Sequence, residues 1–306
     1  MSEQSVKKDT FVKKYFFIII GMPIVFWALA FPLIKIGLEE LSPVNLTIMR
    51  LLVVCIVFVS LLLVKPKKFS KLQKRDIIPF FLLGFLGIVV YHLGLNYGEQ
   101  YVSASASSVI IATIPIFVVI LASIFLKEKI TLKIVLGVIL SILGVVIIYT
   151  VGRPNALLEV KYISGALTVL LAAVMAAGYT VAGKKMLQRY SALSLTVYVC
   201  LLGSLGLIPF ISSTLFEEVA AMSLNGWGVV IFLGLFPTVV GYVLWFVALE
   251  IKNASEISVF LYFVPVLSTI ISYILFREAI TWLFIFGGTL VILGLYVVNK
   301  QSSKVN

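Results

Sequence analysis

Residues able to do polar chemistry are scarce in this chain of 306 residues, so each one inside an apolar stretch carries weight. His92, Asn96 and Glu99 fall at i, i+4 and i+7, on one face of a helix. Such a face can hydrogen-bond a solute or pass a proton, and in an apolar surround it must point to a bundle interior or a wet cavity. The competing reading makes His92 a satisfied core residue and Glu99 a loop residue at the helix end. Aromatic side chains form the second group. Tyr242 follows His92 by 150 positions and has Trp245 one turn on, while Trp27 and Tyr179 occupy comparable places in the two halves. Tyr262 follows Ser258 by one turn. Rings and hydroxyls of this kind can hold an amphipathic solute, or an organic cation through cation–π attraction, unless they only pack the core.

Charged residues supply the third group. Arg50 sits about two turns inside an apolar run. It can clamp a carboxylate or phosphate bidentately, or serve structure by pairing with helix-end carbonyls or with Glu39 and Glu40. Glu256 can bind a proton or a cationic substrate, or simply complement a helix N-terminus. His92, Glu99 and Glu256 are the titrating groups on which proton coupling would rest. Pro115 and Pro265 lie at matching places in two apolar runs and are expected to act as hinges, because proline removes a helical hydrogen bond and permits bending.

Other chemistries lack their residues. One histidine and two cysteines, Cys55 and Cys200, have no metal-ligand spacing, so no metal site, cofactor or disulfide is expected. Scattered carboxylates make no catalytic constellation, which argues against an enzyme. Gly178, Gly183 and Lys184 fit the opening of a phosphate-loop pattern, but Lys185 stands where Ser or Thr is needed. The formal charge of +11 suggests nucleic acid in a soluble protein. Here it reads as loop cations that fix membrane topology, and no nucleic-acid partner is expected.

The elements that must position these residues are membrane helices. Hydrophobic residues make up 61% of the chain and charged ones 12%, half the usual charged share of a soluble protein. Continuous apolar runs of about 20 residues favour helices over a barrel. Ten runs can be marked, at 15–36, 43–64, 77–97, 103–126, 131–151, 162–184, 193–215, 227–249, 255–276 and 281–298. Ala28-Leu29-Ala30 mimics a signal-peptidase site, but the apolar pattern continues through Leu33 and Ile34, so cleavage is not expected. With both termini cytoplasmic, nearly all Lys and Arg fall on the inner side, the densest group running from Lys65 to Arg75. Glu39, Glu40, Glu217 and Glu218 fall outside.

The two halves resemble each other at a shift of 150. Ala104-Ser105 returns as Ala254-Ser255, Ser108-Val109 as Ser258-Val259 and Pro115 as Pro265. Glu128-to-Thr131 features return at Glu278, Ile280 and Thr281; Gly137 and Gly144 return as Gly287 and Gly294, and Lys35 pairs with Lys185. Five helices per half is an odd number, so the second copy must lie upside down relative to the first. Inverted repeats of this kind are common in secondary transporters, with a site at the repeat interface. The small residues Ala173, Ala177, Gly137 and Gly144 read as close-packing positions.

These features in this order resemble the EamA family of the drug/metabolite transporter superfamily. The resemblance rests on Trp27 followed by Lys35, Pro43 and Arg50 at the second helix, then Ala104-Ser105, Pro115, Glu128, Thr131, Gly137 and Gly144 with their copies. Ala28 departs from the Gly that often follows the Trp. The resemblance implies an all-α polytopic membrane protein, ten transmembrane helices in two inverted five-helix repeats, residues 1–152 and 153–306. The expected function is movement of a small metabolite, an amino acid or similar amphipathic solute, across the cell membrane by alternating access. An exporter of cationic drugs or quaternary amines is the alternative within transport, and a non-transporting receptor or scaffold is the alternative outside it. The expected partners are the small-molecule substrate and the bilayer, with the chain a monomer or a homodimer.

Overall fold

The computed structural model describes residues 14–152, 160–276 and 282–299. Every regular element among them is helical, and eight helices are long and apolar enough to cross a membrane. They are α1 (Phe16–Gly37), α2 (Pro43–Val64), α3 (Lys74–Tyr101), α4 (Ser107–Phe125 as its apolar span), α6 (Ile163–Met186), α7 (Ala192–Phe210), α8 (Leu224–Ile251) and α9 (Ala254–Ile271). Two further apolar helices are α5 (Leu132–Gly152) and α10 (Trp282–Asn299).

Local chemistry explains where these helices start and break. Ser42 and Ser191 cap α2 and α7 by accepting from Asn45 and Ser194 N–H, the usual role of an N-cap hydroxyl. The apolar run 193–215 does not stay one helix. Regular α7 ends at Ser204 and becomes a 3-10 turn holding Pro209, because proline cannot donate to the ladder. A separate surface helix, Ser213–Ala221, follows. The third run is longer than 77–97, so Glu99 lies inside α3 rather than in a loop.

Loop contacts define two ends of the bundle. At one, Ser70 N–H donates to Ser194 Oγ, Gln73 N–H to Tyr190 Oη, and Asp76 pairs with Arg189 at 2.9 Å. The Lys252 ammonium lies 4.8 Å from the Phe16 ring at the same end, where the loop cations gather. At the other end, Glu40 accepts from Ser223 N–H and Oγ–H, and Glu218 accepts from Ser42 N–H and Asn45 Nδ2.

Glycines set the closest crossings. Gly84 of α3 and Gly203 of α7 touch backbone to backbone, with no room for a Cβ on either. On α5 and α10, Gly137 meets Gly294 and Gly144 meets Gly287. Low-numbered residues of one helix therefore face high-numbered residues of the other, so the pair runs antiparallel. Ala173 and Ala177 are fully buried, as close-packing positions require.

Candidate functional site

A cavity lies between the two halves of the chain. Its walls come from α1 to α4 on one side and α6, α8 and α9 on the other. Trp27, Arg50, Tyr91, Tyr179, Thr180, Tyr242 and Trp245 supply its aromatic and polar surface, and Ile34, Leu95, Ile111, Ile114, Leu261 and Val264 much of its apolar surface. About 60 Å³ is open to water centres, room for roughly four to six waters at about 10–15 Å³ each.

Two π-helical segments flank this cavity at equivalent places, Phe85–Val90 in α3 and Gly234–Val240 in α8. Such segments free carbonyls from the helical ladder. In α8, Pro237 has no N–H to give Leu233, and the Thr238 hydroxyl donates to that carbonyl instead, at 2.8 Å. Trp27 Nε1 donates to the Pro237 carbonyl at 2.9 Å. Thr238 Oγ1 in turn accepts from Arg50 Nε at 2.9 Å. The irregular turn of α8 thus fixes the orientation of both an indole and a guanidinium. In α3, Gly87 lets the Tyr179 side chain lie against the π segment, since a Cβ there would come within 2.6 Å of Tyr179 Cβ.

Arg50 is buried at 3% exposure while lining the cavity. No carboxylate among the described residues lies within ion-pair distance of it, and Glu40 is engaged with Ser223. Among the described residues the cavity wall therefore carries a guanidinium with no carboxylate in ion-pair contact. Around it, Trp27 packs edge-on to Trp245 with ring centres 5.2 Å apart and tilts toward Tyr242 at 6.1 Å. Tyr179 lies 5.5 Å from Tyr242, and its hydroxyl has no protein partner. Trp245 Nε1 donates to Thr180 Oγ1 at 3.3 Å.

His92 and Tyr242, equivalent positions of the two halves, meet. The Tyr242 hydroxyl is 3.4 Å from His92 Nε2, while His92 Nδ1 donates to the Ile88 carbonyl at 2.7 Å. That leaves Nε2 as the acceptor facing Tyr242. Two equivalent residues can touch only near the axis that relates the halves, so this contact marks the repeat interface.

The other residues singled out from sequence fall elsewhere. Asn96 is fully buried beneath the cavity wall and donates to Thr47 Oγ1 at 2.9 Å. Tyr262 is fully buried in a second apolar cluster, with Ala112, Val119, Ile134 and Val291. Glu256 is outside the cavity lining, at the basic end, 3.9 Å from Lys252 Nζ and accepting from Asn253 Nδ2. Its place in the first turn of its helix matches the helix-terminus reading. Pro115 opens the second segment of α4 after a break at 112–113, and Pro265 opens the regular part of α9 after a 3-10 turn. Glu128 accepts from Ala254 and Ser255 N–H and Ser255 Oγ–H, capping α9. Its copy Glu278 lies outside the described residues. Lys184, the residue that mimicked a phosphate loop, donates to the Leu249 and Lys252 carbonyls at the end of α8.

Sequence reasoning missed Tyr91, Thr180, Gly87 and Thr238. Pro237 inside an apolar run was the available signal for Thr238, because a proline there obliges some other donor to serve the freed carbonyl.

Comparison with known proteins agrees with this architecture. The model of the EamA-like transporter family matches twice, at residues 13–150 and 163–300. An uncharacterized transporter of Archaeoglobus fulgidus is 37% identical over 93% of this chain and 98% of its own length. A probable terminal-alkyne amino-acid exporter of Streptantibioticus cattleyicolor is 29% identical over 92% of each chain. A solved crystal structure superposes with a TM-score of 0.73 at 16% identity, covering 94% of this chain and 97% of that one, which shows a shared fold. With a duplicated family match, a 37% identical relative and eight membrane-length helices, the chain belongs to the EamA-like transporter family of the drug/metabolite transporter superfamily, as a multi-pass membrane protein.

Proposed function

We propose that the chain is a secondary transporter of a small amphipathic metabolite bearing a carboxylate, an amino acid or a close relative. The observation that carries this reading is Arg50, buried on the cavity wall with no carboxylate in ion-pair contact among the described residues and surrounded by aromatic rings. A desolvated guanidinium favours a planar anion with fork geometry. Trp27, Tyr179, Tyr242 and Trp245 would take the apolar body, or an ammonium group over their faces. The amino-acid exporter among the relatives supports the same class.

In this reading ten helices cross the cell membrane as two inverted five-helix repeats, and the carrier works by alternating access. Three observations support inversion. α5 and α10 pack antiparallel through equivalent glycines. Lys35 and Lys184 hold the ends of α3 and α8, at opposite ends of the bundle. His92 and Tyr242 meet at the interface. The basic end faces the cytoplasm with both termini, Pro115 and Pro265 bend their helices, and the small cavity corresponds to a nearly closed state. An exporter of quaternary amines would use the same rings, but Arg50 would repel a cation that offers it no anionic group.

The test is a ligand-induced thermal shift over amino acids, amines and sugar phosphates, followed by uptake of the hits into proteoliposomes. Amino acids are expected to stabilise the wild type, and Arg50→Gln to abolish their effect. Stabilisation by amines alone, or full transport by Arg50→Gln, would overturn the assignment.

A further inference from the structure

We propose that Glu99 is a proton-binding site that carries a proton in this conformation and releases it when the end of α3 opens to water. The proposal rests on the carrier reading above and adds its coupling ion. Glu99 is fully buried, and neither carboxyl oxygen has a hydrogen-bond partner. One turn earlier, Asn96 Oδ1 is also buried without a partner. Lys35, the cation beside it, gives its ammonium to the backbone carbonyl of Glu99 and not to the carboxyl group. An ionised carboxylate in this setting would be desolvated with no hydrogen bond to either oxygen, and such a group takes up a proton instead.

The second repeat shows that the carboxyl is not part of the latch. Lys184 holds the Leu249 carbonyl just as Lys35 holds that of Glu99, and Leu249 is fully buried apolar surface. The lysine-to-carbonyl contact therefore needs no acid. The carboxyl group is an addition to the first repeat only, at a place where burial opposes its charge.

The groups that act on Glu99 are Lys35 from α1, Arg50 from α2 and Tyr91 from its own helix, where His92 also lies. α4 and α6 bring no acid or base to it among the described residues. Closure of the cavity buries Glu99 with its proton. When this end of α3 opens to water, the carboxylate can be solvated; the O–H bond breaks and the proton passes to water.

Two measurements decide the matter. Infrared spectra of purified protein at neutral pH should contain a protonated-carboxyl band that Glu99→Gln removes. An unchanged band in Glu99→Gln, or in Glu99→Leu, overturns the proposal. In proteoliposomes loaded for L-leucine exchange, an acid gradient should accelerate uptake by the wild type. Glu99→Gln should keep exchange and lose the acceleration, and gradient-driven uptake by this variant also overturns the proposal. If the wild type moves no leucine at all, the amino-acid reading falls, and the infrared result still decides the proton site.

Discussion

Among the described residues Arg50 is held by one hydrogen bond, which spans 188 positions of sequence to Thr238. Arg50 also lines the cavity. Hydrogen bonds to a charged group contribute about 1.5–3 kcal/mol each. Arg50→Gln should therefore weaken binding of a carboxylate substrate by roughly 10–100-fold, at about 1.4 kcal/mol per tenfold. Titration calorimetry on detergent-solubilised protein would measure it. Arg50→Lys should restore only part of the loss, since an ammonium lacks the planar fork. Thr238→Val acts differently. It removes the acceptor for Arg50 and the donor to the Leu233 carbonyl, leaving buried groups unsatisfied at about 1–3 kcal/mol. A lower melting temperature with or without ligand is the expected signature. Arg50 was legible in the sequence because a charge inside an apolar run is conspicuous. Thr238 was not, because a threonine in such a run is ordinary until its partner is known.

At the scale of elements, sequence patterning located the helices and mistook some of their ends. Hydropathy reports which residues avoid water, but a π segment, a 3-10 turn and an α-helix are equally apolar. The irregular turns of α3 and α8, which shape the cavity, therefore left no compositional trace beyond Pro237. The register of the repeat was legible only in part. Lys35 matches Lys185 at a shift of 150, yet Lys184 does its work, and Ser42 corresponds to Ser191 as a cap. The first two helices of the repeat thus follow a shift of 149, while His92 and Tyr242 follow 150. A substitution of Gly84 by Ala tests the crossing of α3 and α7. Its Cβ would meet the Val199 carbonyl and Gly203 backbone, and overpacking of this kind costs about 1–3 kcal/mol, to be read as a lower midpoint in thermal unfolding. Glu40 tests the loop end. Hydrogen bonds from Ser223 hold its carboxyl below its ordinary value of 4.5. A depressed folded-state value gives stability that is present above the ordinary value and lost as pH falls through the folded one. The melting-temperature difference between wild type and Glu40→Gln should therefore be largest near about pH 6 and shrink toward about pH 3.

The proposed carrier depends on one half being the other turned over. Two sets of loops meet at opposite ends of the helices, one basic and joined through Asp76–Arg189, the other acidic and joined through Glu40–Ser223. Equivalent positions fall at opposite ends, as Glu39 in the loop after α1 and Gln188 in the loop after α6 illustrate. Five apolar runs per half, an odd number, pointed to this arrangement in the sequence, and charge bias sorted the loops without knowledge of packing. The cavity needed the fold, since its lining comes from seven helices spread along the chain. Inversion predicts opposite accessibility for equivalent sites. With Cys55 and Cys200 replaced by Ser, a single cysteine at Glu39 should react with an impermeant maleimide from outside intact cells. One at Gln188 should react only after permeabilisation, and so should one at Lys68. The proposed orientation puts the basic end in the cytoplasm, following the positive-inside bias. Labelling of Glu39 and Gln188 positions from the same compartment would remove the two-fold relation. Without it, exchanging the conformations of the halves would no longer carry the cavity from one side of the membrane to the other.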